Sequence, residues 1–430
     1  MATEQVHVIG HVAAEPAEVW AVVGNFCGAW HPAIAEMRLE RDARGALIRA
    51  FTAKGEDTLY REQLTYRSDS DRVLAYTHLE GIAGAERYDA RLQVFADETG
   101  GSRIEWSARL SASADRAPAI AAGTKAIFEM DIAALDDIAG TSASDDIPSV
   151  EQPDAALESV FIAGEPKLAL TVTPQRPGPL VLFLHGIGGA RTNWLAQLHA
   201  VAPTLRAAAL DLRGYGESRL GPSQSTVEDY CDDIRRVAEA LGATRLVLCG
   251  LSYGSWIATS FAMRHPEMLA GLVLSGGCTG MSEAEVAERE AFRTAREVPL
   301  DAGKTPADFA PAVVDVLAGP NAGEAVRQAL FTSMAAIPAA TYRDALHCFT
   351  HPPERFDFSR LTMPVLMMTG RFDRLAAPEE IRGVANRIAE VAPRACVRFE
   401  VIEDAGHVCN VERPGAYNRV LGEFLSEIAR

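Results

Sequence analysis

Cys249-Gly250-Leu251-Ser252-Tyr253-Gly254-Ser255-Trp256 is the stretch on which the fold of this chain turns. The residues before it, Arg245 to Cys249, read as a short buried strand, and Ser255 to Arg264 read as a helix. Gly250 to Gly254 is thus a G-x-S-x-G at a strand-to-helix junction, the setting of a nucleophile elbow. A serine on so sharp a turn sits in a strained backbone conformation, with its hydroxyl pushed out of the sheet edge. The flanking glycines fit because a Cβ there would meet the neighbouring strand and helix. Taken alone, the same five residues also fit a tight turn with an incidental serine.

Outward from the elbow, apolar strands alternate with helical stretches. Strands 157–163 and 167–173 precede Leu180-Val181-Leu182-Phe183-Leu184, a continuous apolar run of the kind expected in a central parallel strand covered on both faces. Strand 207–212, helix 226–241, strand 245–249, helix 253–264 and strand 270–275 follow. After an interruption come strand 364–370, helix 378–391, strand 396–402 and helix 414–428. This order predicts a doubly wound α/β sheet. The interruption, about 279–358, is helix-rich and carries Pro299, Pro306, Pro311, Pro320 and Pro338. It is too long for a connection and reads as an inserted helical cap.

Chemistry-bearing residues collect at the ends of these strands, where open α/β sheets bind ligands. His185-Gly186-Ile187-Gly188-Gly189 follows the first long apolar strand, and Asp211-Leu212-Arg213-Gly214-Tyr215-Gly216-Glu217-Ser218 the next. Asp373 follows Thr369-Gly370-Arg371-Phe372, and His407 closes Asp404-Ala405-Gly406-His407. The order Ser252, Asp373, His407 resembles that of the α/β-hydrolase fold, and the resemblance covers residues 157–430. A serine hydroxyl is a weak nucleophile and needs a base in hydrogen-bond reach. His407 is that base, and Asp373 would fix its tautomer and stabilise its cation. Asp404 and Asp357 are alternatives for the acid. The resemblance implies an oxyanion hole at the backbone N–H groups of Ile187 and Tyr253, with Gly186 and Gly188 keeping that loop close to substrate. His185, Asp211 and Arg213 read as structural. The serine at the elbow, where haloalkane dehalogenases and epoxide hydrolases use aspartate, disfavours their chemistry.

Cys249-Gly250-Leu251-Ser252, together with Gly406-His407-Val408-Cys409-Asn410-Val411-Glu412-Arg413-Pro414, resembles the 3-oxoadipate enol-lactone hydrolases. The departure is Ser255-Trp256, where that family usually has a second glycine. The cap and the helix after the elbow are expected to shape the acyl pocket, so Trp256 and Cys249 carry the question of which acyl group is attacked. In the cap, Arg289, Arg293 and Arg296 could meet a carboxylate, but at helical spacing they read as a solvated face.

Residues 1–140 form a different unit. Val6 to Val12 reads as a strand, Pro16-Ala17-Glu18-Val19-Trp20 starts a short helix, and His31 to Ala35 reads as a second short helix. Strands at about 36–42, 46–53, 58–68, 72–79, 85–96 and 102–112 are separated by turns such as Asp42-Ala43-Arg44-Gly45 and Asp97-Glu98-Thr99-Gly100-Gly101. They predict an antiparallel meander. A helix follows from about Pro118 to Ile138, with Ile120, Thr124, Ile127, Phe128, Leu135 and Ile138 on one face. Asp131 lies within that stripe, so its carboxylate needs a partner or a wet cavity. Val19 to Phe26 followed by Trp30-His31-Pro32, Arg61-Glu62-Gln63-Leu64 and Ile104-Glu105-Trp106 resemble segments of the START-like polyketide cyclase/dehydrase superfamily. The resemblance implies an α+β helix-grip fold, a curved antiparallel sheet around the long C-terminal helix, with an apolar ligand cavity in which Asp131 is the best placed polar group. Residues 141–156, small, polar and proline-containing, read as a linker to the hydrolase-like part at 157–430.

Composition narrows the partners. A net charge of −17 argues against nucleic acid and against an anionic membrane surface. The seven scattered cysteines show no zinc-site spacing and suggest free thiols. Met1 to Gly10 carries no signal-peptide pattern, and no apolar run approaches the roughly 20 residues of a membrane span. A cytoplasmic protein without metal or organic cofactor is expected. The expected activity is serine hydrolysis of a small hydrophobic or aromatic-derived ester or lactone. The rivals are carbon–carbon bond hydrolysis of a β-diketone or ring-cleavage product by the same residues, and a ligand sensor with weak turnover.

Overall fold

A computed structural model describes residues 1–28, 30–42, 46–98, 100–139, 155–353, 355–392 and 395–428. Nearly all of the expected linker, and residues 43–45 of the first turn, lie outside the described residues. The chain divides into two compact units.

The first unit comprises β1 (Ala2–Val12), α1 (Pro16–Val23), β2 (Ile34–Arg41), β3 (Leu47–Ala53), β4 (Leu59–Ser68), β5 (Val73–Glu80), β6 (Ala85–Ala96), β7 (Ser102–Ala112) and α2 (Ala117–Ala139). Its sheet runs β1-β7-β6-β5-β4-β3-β2, every pair antiparallel. Period-2 alternation makes one face of β7 a core face: Ile104, Trp106, Ala108 and Leu110 are buried. α2 lies against β1 and β7, with Phe128 stacked on Trp106 at a centroid distance of 4.3 Å.

Two expectations for this unit need correcting. The residues His31 to Ala35 form a turn leading into β2, not a helix. Pro32 has no N–H to give, and His31 itself satisfies the next two donors: Nδ1 accepts from Ala33 N–H at 3.2 Å, and its carbonyl from Ile34 N–H at 3.1 Å. The buried face of α2 departs from the expected stripe at Ile127 and gains Ile132, and the Ile138 side chain lies outside those described. Thr124, Phe128, Asp131, Ile132 and Leu135 are buried, whereas Ile127 is 45% exposed. Asp131 has its partner: His31 Nε2 lies 2.6 Å from its carboxylate. Burial raises the Asp131 pKa, and His31 offsets part of that.

The second unit comprises β8 (Glu158–Ile162), β9 (Leu168–Val172), β10 (Leu180–Leu184), α3 (Leu195–Val201), β11 (Ala207–Asp211), α4 (Val227–Ala240), β12 (Leu246–Leu251), α5 (Tyr253–Arg264), β13 (Leu269–Ser275), α6 (Val286–Asp301), α7 (Pro306–Leu317), α8 (Glu324–Ala335), α9 (Ala339–Thr350), β14 (Val365–Gly370), α10 (Pro378–Val391), the end of β15 (Val397–Ile402), whose residues up to Glu400 group with the first unit, α11 (Cys409–Glu412) and α12 (Pro414–Ile428). The strand order is β8-β9-β11-β10-β12-β13-β14. β11, β10, β12, β13 and β14 pair in parallel, and β8 and β9 are antiparallel additions at one edge. Every residue of β10, β12, β13 and β14 is buried, as a sheet covered on both faces requires. α3 was not expected. It is seven residues long, and Leu198 and Val201 enter one core with Trp194, Tyr417, Leu421 and Phe424. Its length, under two turns, leaves too little periodicity to read.

The contrast between Phe128 and Ile127 on α2 gives a direct test. Phe128→Ala should cost about 3–5 kcal/mol in urea denaturation, whereas Ile127→Ala should stay within about 0.5 kcal/mol.

Candidate active site

The elbow is built from a forbidden conformation and two close approaches. Ser252 has φ +54° and ψ −114°, outside the regions open to ordinary residues at low cost. A Cβ on Gly250 would lie 2.3 Å from the Gly254 carbonyl oxygen, and one on Gly254 would lie 2.3 Å from that of Leu184. Both positions therefore require glycine. Ser252 N–H donates to the Ser275 carbonyl at 2.8 Å, which anchors the turn to β13. Ser255, the departure from the second glycine, bridges the same strands. Its buried Oγ lies 2.8 Å from the Gly250 and Ser275 carbonyls and accepts from Ser275 N–H at 2.9 Å.

Ser252 and His407 border one cavity of about 490 Å³, also lined by Gly186, Ile187, Gly188 and Tyr253. The two side chains are not hydrogen-bonded to each other here; such bonds are often long in unliganded sites and tighten with substrate. His407 Nδ1 lies 3.0 and 2.9 Å from the two carboxylate oxygens of Asp373. Asp373 Oδ1 also accepts from Leu375 and Ala376 N–H at 2.8 and 2.9 Å. Burial pushes the Asp373 pKa up, but His407 and these two N–H groups outweigh it, so the carboxyl is held below its ordinary value. Of the alternative acids, Asp404 accepts from Asn321 at 3.2 Å, and Asp357 caps a turn through Ser359.

The loop after β10 is fixed from beneath. His185 is fully buried. Its Nε2 accepts from Leu212 N–H at 3.1 Å, so Nδ1 carries the proton and donates to the Gly186 carbonyl at 2.8 Å. Burial lowers the His185 pKa, which keeps that tautomer neutral. Tyr215 Oη donates to the Ile187 carbonyl at 3.1 Å and sets that peptide plane. Tyr253 is the first residue of α5, so its N–H is one of the helix-end donors without an intrahelical acceptor. Asp211 accepts from Arg191 and Glu217 N–H, and Arg213 pairs with Asp233 at 2.8 Å, tying the neighbouring loops.

Two residues flanking the elbow stand away from the cavity. Trp256 does not line the cavity. It is one helical turn past Ser252 and packs behind the wall, 5.5 Å from the rings of Tyr253 and Phe349, with Nε1 donating to Ser282 Oγ at 3.0 Å. Cys249 points into the sheet core with Phe183 and Trp194, and burial pushes its thiol pKa well up. The pocket wall comes from the helices between β13 and β14, including Phe292, Phe309, Met334 and Phe349.

One residue of the His407 segment received no role from the sequence. Glu412 is buried, and its two oxygens accept from Gly406 N–H at 3.0 Å and Gly319 N–H at 2.8 Å. His407 N–H donates to the Leu317 carbonyl at 2.7 Å. A buried carboxylate five residues past the histidine was a signal for such a clamp.

Residues 179–414, more than half of the chain, match the family model described as alpha/beta hydrolase fold. The chain belongs to the alpha/beta hydrolase fold family. Residues 3–139 match the model described as polyketide cyclase / dehydrase and lipid transport, in accord with the START-like resemblance. The 3-oxoadipate enol-lactonase 1 of Acinetobacter baylyi is 21% identical over 284 residues, 63% of this α/β hydrolase and 98% of that protein. Epoxide hydrolase 4 of Mus musculus is 37% identical over 102 residues, 23% of this chain and 28% of the other. A thermophilic esterase from Thermogutta terrifontis shares the fold with a TM-score of 0.56 and 28% identity, over 64% of this chain and 100% of its own. Among the described residues of this α/β hydrolase, no helix is long and apolar enough to cross a membrane, and no group of three or more His, Cys, Asp or Glu side chains could hold a metal ion.

Two predictions test the site's framework. Glu412→Ala strands two buried N–H groups and should cost about 3 kcal/mol in urea denaturation. For Asp373 the sign is fixed by the depressed pKa. Its contribution to stability is complete above the unfolded value, near 3.9, and is lost as pH falls through the folded one. The stability difference between the parent protein and Asp373→Asn should therefore shrink as pH is lowered from about 5 to about 3, read from denaturation midpoints.

Proposed function

We propose that this α/β hydrolase cleaves a small ester or lactone through an acyl-enzyme. The observation that carries the reading is the strained Ser252 sharing a cavity with His407, whose Nδ1 is held by a buried, ionised Asp373. With Nδ1–H donated to Asp373, Nε2 is left as the acceptor for the serine proton. Ser252 Oγ attacks the acyl carbon while His407 takes its proton. The N–H groups of Ile187 and Tyr253 receive the developing oxyanion. His407 then protonates the leaving alkoxide, and a water activated by the same histidine releases the acid.

The likenesses to an enol-lactonase and an esterase support ester or lactone bonds as the target. The epoxide-hydrolase likeness carries less weight, since it spans 23% of the chain and the elbow residue here is serine. The apolar wall contributed by Phe292, Phe309, Met334 and Phe349 favours a small hydrophobic acyl or ring substrate under a helical cap. In the same reading, residues 1–140 are a module for a hydrophobic ligand. The buried His31–Asp131 and Arg49–Glu62 pairs, 2.6 Å each, would orient a polar end of that ligand.

Ser252→Ala should lower kcat on p-nitrophenyl acetate by about 10⁴-fold or more, and Asp373→Asn by about 10⁴-fold. A fluorophosphonate should label Ser252, read by peptide mass spectrometry. Wild-type turnover by Ser252→Ala would overturn the proposal.

A further inference from the structure

The three arginines of α6 do not share one fate. Arg293 is paired with Glu297 at 3.0 Å. Arg296 instead lines the cavity that holds Ser252 and His407. Its guanidinium lies 3.4 Å from the centroid of the Phe292 ring, and Nη1 donates to the Phe292 carbonyl at 3.0 Å. Tyr342, a buried residue of α9, lines the same cavity close enough to interact electrostatically with it. No carboxylate pairs with Arg296 among the described residues. The acid of the lining, Glu380, stands near Asp373 and Glu283, whose charges add to burial in raising its pKa.

A half-buried guanidinium without a counter-ion is costly, and arginine does not escape the cost by losing its proton. Burial does lower the Arg296 pKa, but from so high a value that the charge persists. Of its five N–H donors, the Phe292 carbonyl engages one. The Tyr342 hydroxyl on the same cavity is a further donor. A planar cation beside a hydroxyl donor, set in an apolar wall, fits one monoanion.

We propose that Arg296 and Tyr342 form an anion subsite, and that the ester or lactone cleaved at Ser252 carries a carboxylate remote from the scissile bond. The proposal rests on the reading of the cavity as an ester-cleaving site. A carboxylate fits better than a phosphate dianion, because one cation serves the subsite: Arg293 is committed to Glu297, and Arg289 does not line the cavity. Forked donors and a flat carboxylate also match in shape.

The test uses mono-p-nitrophenyl esters of succinate, glutarate and adipate, each against its neutral methyl ester. For at least one chain length, kcat/KM should favour the free acid by about 10- to 100-fold, the range of a hydrogen bond to a charged group. Arg296→Met should bring that ratio to within about threefold of one, and Arg296→Lys should restore part of it. Binding supplies a readout independent of turnover. Calorimetry on Ser252→Ala should show the monomethyl ester of the same diacid binding at least tenfold tighter than the dimethyl ester, with the preference lost on adding Arg296→Met. A preference in binding without hydrolysis of any ester would sink the hydrolase reading and leave the subsite standing. Hydrolysis with a ratio near one at every chain length, or a ratio unmoved by Arg296→Met, would overturn the subsite.

Discussion

The second unit depends on one steric constraint, the absence of room for a side chain where α5 meets the sheet. Gly254 sits so close to the Leu184 carbonyl that a Cβ would overlap it. That approach lets α5 start immediately after β12, with a single residue as the turn. The single residue is Ser252, and its positive φ is the conformational cost of so short a connection. Surrounding interactions over-determine it: the Ser275 carbonyl holds its N–H, and Ser255 ties β12 to β13. A serine on a longer turn would have rotational freedom. This one has its backbone direction fixed by the fold.

Around the elbow the two loops of the site are rigid for different reasons. The loop after β10 is held by neutral donors and acceptors: the His185 ring spans Leu212 and Gly186, and Tyr215 fixes Ile187. The loop after β15 is held by a charge, since Glu412 is the buried acceptor for Gly406 and Gly319. Charge-assisted bonds to N–H groups are the stronger kind. His407 thus stands on the more firmly fixed backbone.

Much of the α/β architecture was legible in the sequence because its strands are continuous apolar runs and its helices are long enough to show a period. The stretches around Leu180–Leu184, Tyr253–Arg264 and Pro378–Val391 carry that information without ambiguity. Where the reading failed, the cause was local. The turn at His31 is made by a side-chain acceptor that hydropathy does not register. On α2, Ile127 and Phe128 are adjacent apolar residues, and only the Trp106 ring decides which of them is buried. The pocket wall was the least legible part. Cys249 and Trp256 flank the elbow in sequence but point away from the cavity in space. Arg289, Arg293 and Arg296 share one periodicity, and packing of α6 beside α9 separates them.

The Glu412 clamp has a mechanical consequence for the helices over the cavity. Leu317 ends α7 and Gly319 lies just beyond it, and three hydrogen bonds tie this end to Gly406, His407 and Glu412. Asn321 extends the seam to Asp404 and Arg413. Lifting the end of α7 would tear this seam and drag the histidine backbone with it. A swinging motion of the helical insertion therefore has a stationary end at Leu317–Asn321. Traffic of small molecules to Ser252 is cheapest where the insertion can part without moving that post.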